Sequence, residues 1–200
     1  DEVLERALPR WRHPAVLTKL QAKEAGKASA IALGLAHAKS PYAVLWDADL
    51  EYGFAALPLI AQTLASDTLI TGCRPSHALK WRSVLANALA RLALRTAGSP
   101  PADVLTGIHA ARTDWLRASL QRSEARGYEL EVAITRSALV DRLYQLDIEV
   151  PYRPRSFKDG RGIRWYHLFP ILKAALGLGA TAREQPAAIA PHLSQQEGRP

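Results

Sequence analysis

"YAVLWDADLEYG", residues 42–53, is the stretch on which the reading of the chain turns. Five apolar or aromatic residues run directly into Asp47 and Asp49, one residue apart, with Glu51 behind them. A near-continuous apolar run of this length predicts a strand in a sheet covered on both faces. Ending it on carboxylates is costly, because two like charges about 4 Å apart repel by roughly 4 kcal/mol at an effective dielectric near 20. In an extended strand end, residues i and i+2 point the same way. Both aspartates can therefore face one side of the sheet's lip, at the carboxyl end of a strand, where ligands bind in open α/β sheets. Hard oxygen ligands there suit Mg²⁺ or Mn²⁺, which take one or two carboxylates plus phosphate oxygens from a substrate. The residues alone leave a plainer alternative open, in which Asp49 caps the helix behind it and Asp47 stands in a solvated loop.

Outward from this stretch the elements alternate. Upstream, residues 2–11 read as a helix, 15–20 as a short strand and 26–38 as an Ala/Leu-rich helix stopped by Ser40-Pro41. Downstream, a helix is expected over 56–65, with Pro58 tolerated in its first turn, and a strand over 67–72. This rhythm predicts an α/β domain with a largely parallel sheet. Residues 80–96 form a long basic helix with apolar positions at Trp81, Val84, Leu85, Ala88 and Leu92; Arg82, Arg91 and Arg95 lie on its other faces. A loop and strand over 99–113, a helix over 128–143 and a strand over 144–152 follow. Trp165, Leu168, Phe169, Leu172 and Leu176 then make one apolar stripe on a helix, preceded by a basic loop. The domain is expected over 1–180, and the polar tail over 181–200 is expected to be poorly ordered.

Two hundred residues suit one domain. A net charge of +7 and a pI near 9.8 point to an anionic partner. Cys73 stands alone, so an internal disulfide framework is excluded. The charged start "DEVLERALPRWR" is no secretory signal, and the most apolar stretch, 168–180, is shorter than the roughly 20 residues of a membrane span and holds Lys173. The segment "EAGKAS" is not a phosphate-binding P-loop, since Gln21 stands where the first glycine is needed and Ala28 follows Lys27. No nucleic-acid recognition motif is present. His109 and His167 have no metal-binding spacing.

The run "GKASAIALGLAHAKSPYAVLWDADLEY" (residues 26–52) resembles the core of family-2 glycosyltransferases, in the branch that glycosylates polyprenyl or dolichol phosphate. There a Gly-Lys helix precedes a strand ending in D-A-D-L-E/Q. Further matches follow in order: "TGCR" (71–74), "WRSVLANALARLAL" (81–94), "DVLTGIHAART" (103–113), "GYELEVAI" (127–134) and "IEVPYRPRSFKDGRGIRW" (148–165). The resemblance spans roughly residues 15–176. It implies a GT-A, Rossmann-like, three-layer α/β/α domain with a mostly parallel sheet. The family's opening V-V-I-P-x-Y-N-E and D-D-G-S-x-D segments have no counterpart, so the first strand or strands are expected to be missing. The chain, which holds no methionine, is read as either a piece of a longer enzyme or a reduced protein.

The same resemblance implies roles. Asp47, Asp49 and Glu51 would hold Mg²⁺ or Mn²⁺ on a donor diphosphate, with Asp49 also catalytic. Lys27, Arg74 and Arg82 would contact donor phosphates, Asp103 and Glu131 would be acids facing sugar and acceptor, and Arg155 would meet an acceptor phosphate. The implied activity is inverting transfer from a GDP- or UDP-sugar to a polyprenyl phosphate or other lipid-linked acceptor, by a cytoplasmic protein peripheral on the inner face of the membrane and with no nucleic-acid partner. The basic loop and amphipathic helix over 153–178 fit a membrane surface or, equally, a helix packed on the sheet. The alternative function is a non-catalytic domain of this fold that binds a nucleotide sugar or lipid phosphate, or serves as a partner subunit.

Overall fold

The structure, a computed structural model, describes residues 26–154 and 164–178. In chain order its elements are α1 (Lys27–His37), β1 (Tyr42–Trp46), α2 (Leu57–Thr63), β2 (Thr68–Cys73), α3 (Trp81–Leu94), β3 (Ile108–Arg112), α4 (Thr113–Arg122), α5 (Leu130–Val140), β4 (Tyr144–Glu149) and α6 (Leu168–Ala175). The expectations for 2–11, 15–20 and 181–200 lie outside the described residues, as does the basic loop over 155–163.

The four strands form one sheet in the order β1-β3-β2-β4. β2 and β4 pair in parallel from Thr68↔Tyr144 to Cys73↔Glu149. β3 runs antiparallel to both β1 and β2, with Trp46 opposite Ile108 and Thr71 opposite His109. Three of the four strands therefore share a direction, as a largely parallel sheet requires, and the single reversed strand β3 lies between β1 and β2. Sequence pattern did not show that reversal, because a buried strand reads the same in either direction. β1 is covered on both faces as expected, Ala43 and Leu45 packing on one core and Val44 and Trp46 on the other, though it forms an edge of the described sheet and all five residues are half-buried.

Period-two alternation divides the sheet's two faces. Leu69 and Ala111 join Leu35, Trp115, Leu116, Leu130 and Ile134 in one core, under α1, α4 and α5. Ile70, Ile108 and Ala110 join Tyr52, Ile60, Ile148 and Val150 in the other, under α2 and the loop after β1. The result is a three-layer α/β/α sandwich. Asp141 fastens α4 to α5, accepting from Trp115 Nε1 at 2.7 Å and from Arg122 Nη2 at 2.6 Å. A third core unites α3, α5 and α6 through Ala86, Ala90, Leu94, Val132, Leu139, Ile171 and Ala175.

This third core decides which side of two helices packs inward, which their apolar spacing left open. On α3 the small residues Ala86 and Ala90, with Leu94, pack inward, while Trp81, Val84, Leu85 and Leu92 are exposed. On α6 Ile171 and Ala175 are inside, while Trp165, Phe169 and Leu176 are exposed. Helical spacing shows that a stripe is apolar but not whether a neighbour covers it.

Candidate active site

The chain leaves the end of β1 at Asp47 and doubles back at once. Glu51 N–H donates to Asp49 Oδ1 at 3.2 Å, a side-chain turn of the kind aspartate favours. Leu50, between them, is held at φ 65°, a left-handed backbone that costs a side-chain-bearing residue about 1–3 kcal/mol. Such strain persists only where the surroundings over-determine it. Here they do: Gly53 N–H donates to Pro151 O at 2.9 Å and Arg153 N–H to Glu51 O at 2.7 Å, pinning the loop to the segment after β4.

A cleft of about 660 Å³ opens beside this loop, and Asp47, Asp49, Glu51, Lys27, Arg74 and Glu131 all line it. Lys27, the first residue of α1, places Nζ 2.7 Å from an Asp47 oxygen and also bonds Glu131. Burial pulls Lys27 down, but the Glu131 and Asp47 carboxylates outweigh it and leave its pKa raised. Burial in turn pushes the Glu131 carboxyl up against the opposing pull of Lys27, and Glu131 Oε2 is buried without a hydrogen-bond partner. Glu131 is thus a buried acid at the cleft with one oxygen paired and one spare.

Arg74 and Asp103, expected as separate phosphate-binding and acceptor-facing groups, are each other's partner. Arg74 Nε and Nη2 reach the two Asp103 oxygens at 2.6 and 2.9 Å, and Nη2 also donates to Leu105 O at 2.8 Å. Asp103 is only 2% exposed. Burial would lower Arg74, yet its bidentate bond to Asp103 holds it raised and charged. Asp103 is thus engaged by Arg74 and is not part of the cleft lining, whereas Arg74 is a fixed wall of the cleft. Arg82 lies outside the cleft lining, exposed, with its guanidinium 5.4 Å from the Trp81 ring centroid. Arg155 lies outside the described residues.

The expected metal trio separates. Tyr152 Oη–H donates to Glu51 Oε2 at 2.8 Å, and Asp47 is engaged by Lys27. Among the described residues, no three acid, histidine or cysteine side chains converge closely enough to cage an ion. Asp49 and Asp47 nonetheless open onto one cleft, and the partial oxygen donor set they form fits an Mg²⁺ or Mn²⁺ ion whose remaining ligands come from substrate phosphate and water.

Three supporting residues escaped sequence reasoning. Gly107 N–H donates to Tyr52 Oη at 2.9 Å. A Cβ at Gly107 would sit 2.1 Å from Asp47 Oδ2, so any larger residue there would displace this carboxylate. Tyr152 lies 5.5 Å, at its ring centroid, beneath the Arg74 guanidinium. Tyrosines following D-A-D-L-E and V-P were the available signal, but a lone tyrosine fits a core equally well.

Residues 2–87 match the family model for Glycosyl transferase family 2. No curated protein sequence matches the chain. Among solved structures, glucosyl-3-phosphoglycerate synthase from Mycobacterium tuberculosis in complex with Mn²⁺, UDP-glucose and phosphoglyceric acid is similar, with a TM-score of 0.56 and 21% identity, over 88% of this chain and 60% of that one. The same enzyme with Mn²⁺, UDP and phosphoglyceric acid gives 0.55 and 22% over 88% and 60%, and with UDP alone 0.53 and 21% over 88% and 61%. The likeness in structure carries the fold, which is of the GT-A, Rossmann-like type, and the chain spans about 60% of the length of these structures. Residues 2–87 are thus similar to glycosyltransferase family 2, and the fold is of the GT-A type.

Proposed function

We propose that the cleft transfers a hexose, with inversion, from a UDP- or GDP-linked donor to a phosphorylated acceptor, the favoured acceptor being a polyprenyl phosphate or a related lipid-linked phosphate. The observation that carries this reading is the convergence of Asp47 and Asp49, from the end of one strand, on a cleft whose walls also present Lys27, Arg74 and Glu131. Asp49 and Asp47 would hold a divalent cation, which when bound would supply Lewis-acid stabilisation of the leaving group. Lys27 brings positive charge to the same place, where the departing diphosphate gains negative charge. The acceptor oxygen bonds to the anomeric carbon as the carbon–oxygen bond to the diphosphate breaks.

An ionised phosphate acceptor needs no base. A hydroxyl acceptor does, and Glu131 is then the carboxylate placed to take its proton, since Asp103 is locked to Arg74. Lys80 and Arg126 on the cleft wall offer cations to an acceptor phosphate. A cytoplasmic site, peripheral on the inner membrane face, goes with a lipid acceptor. A small phosphorylated acid is the second reading, favoured by the phosphoglyceric acid bound in similar structures.

The test is transfer by the purified chain with Mn²⁺, offering UDP-glucose or GDP-mannose against a short polyprenyl phosphate or 3-phosphoglycerate. Product with the lipid phosphate, lost in Asp49→Asn at unchanged thermal stability, is expected. Product with 3-phosphoglycerate alone selects the second acceptor. Donor binding without turnover to either leaves the non-catalytic alternative, and neither binding nor turnover overturns the reading.

A further inference from the structure

Lys27 holds two acids of the cleft at once. Its Nζ lies 2.7 Å from Asp47 Oδ1 and donates to Asp47 Oδ2 at 2.9 Å, so one ammonium straddles both oxygens of the carboxylate. The same Nζ bonds Glu131. Asp47 is also, with Asp49, the carboxylate offered to a divalent ion. One anion is thus presented to two cations, and cations that share a carboxylate away from bulk water repel each other strongly.

Packing decides which group gives way. Gly107 backs directly onto Asp47: a Cβ there would lie 2.1 Å from Oδ2 and 3.0 Å from Asp47 Cβ, so the carboxylate has no retreat on that side. Glu131 is buried on the first turn of α5. Lys27 has more freedom. It opens α1 directly after Gly26, and its side chain is 32% exposed. An ammonium on a four-carbon stem makes its bonds in no fixed plane. The space open to it is the cleft, which Lys27 lines beside Asp49 and Arg74.

We infer, given the metal and diphosphate site of the proposed function, that Lys27 is a displaceable counter-ion. Anchored on Glu131, it holds Asp47 and yields it to a divalent ion when a nucleoside diphosphate offers the ammonium phosphate oxygens in exchange. Ion and diphosphate then bind cooperatively, and by linkage each raises the affinity for the other by the same factor. Lys27 also keeps the carboxylates at the end of β1 from taking up an ion that brings no donor.

The test follows Lys27 itself. Brief reductive methylation of the folded chain, read by mass spectrometry, reports how open its amine is, with the exposed Lys39 and Lys173 as references. Saturating Mn²⁺ alone should raise labelling of Lys27, and UDP added with the ion should bring it down again, while the references hold constant. In Mn²⁺ titrations by electron paramagnetic resonance, Lys27→Met should bind the ion about tenfold more tightly without UDP and gain less from UDP, within the usual range of coupling between sites. Should Lys27→Met lower the melting temperature, the labelling of the wild-type chain decides alone. Lys27 labelling indifferent to Mn²⁺ that binds, or Mn²⁺ affinity unchanged in Lys27→Met, overturns the inference and leaves the transfer reading standing. Mn²⁺ that binds neither chain, with UDP or without, fells both.

Discussion

Replacing Gly107 by alanine asks whether the position of Asp47 matters. The added Cβ would lie 2.1 Å from Asp47 Oδ2 and 2.4 Å from its Cγ, where carbon contacts are comfortable only beyond about 3.5 Å. The backbone does not forbid alanine, because Gly107 is not among the positive-φ glycines. The strain therefore falls on the Asp47 carboxylate, which must swing by about an ångström or more from the position in which it meets Lys27. Overpacking of this kind costs about 1–3 kcal/mol. Expressed wholly as lost binding, that is a fall of roughly 5- to 150-fold in affinity for Mn²⁺ with nucleotide. Mn²⁺ titration by electron paramagnetic resonance in the presence of UDP, beside a thermal melt, reads the effect. Gly72→Ala is the control: its Cβ would meet Ile108 at 2.8 Å, away from the carboxylates, and should cost stability while the folded protein keeps its affinity. Wild-type Mn²⁺ affinity in Gly107→Ala, at unchanged melting temperature, would refute the reasoning.

Two further outcomes concern buried charge. Asp103→Asn leaves the Arg74 guanidinium buried without its counter-charge, and urea unfolding should show a loss of about 3–5 kcal/mol. His109 is fully enclosed on β3, with neither ring nitrogen hydrogen-bonded, and burial with nearby Lys27 pulls its pKa from 6.5 down to about 3. The unfolded chain takes up that proton first as pH falls, so stability is held above pH 6.5 and is lost between there and about pH 3, by up to about 5 kcal/mol. His109→Leu should flatten that part of a stability–pH profile measured by urea unfolding; an unaltered acid limb would show that His109 takes no part in it.

Local signals in the sequence were strong where one element sufficed. The apolar run of β1 appears at Tyr42–Trp46, and α3 covers Trp81–Leu94 within the expected 80–96. α4, TDWLRASLQR, escaped the sequence reading although Trp115, Leu116, Ser119 and Leu120 fall at i, i+1, i+4 and i+5, because so short a stripe among three charges is a weak signal. Partnerships across the fold were hidden for a different reason. Lys27 and Asp47 are 20 residues apart, and Arg74 and Asp103 are 29 apart; each residue type suggested a ligand for substrate, whereas tertiary packing made the latter two ligands for one another. The reversed strand β3 sets Gly107 against Asp47, a contact that depends on register and so on the whole sheet.

The most direct measurement is calorimetric titration of UDP and GDP into the chain with and without Mn²⁺, repeated with Asp49→Asn. Mn²⁺-dependent binding of one nucleoside diphosphate, lost in the variant while its melting temperature holds, is the predicted result. Equal binding with and without the ion, or an unaffected variant, would contradict the claim that carboxylates at the end of β1 and a donor diphosphate share a metal.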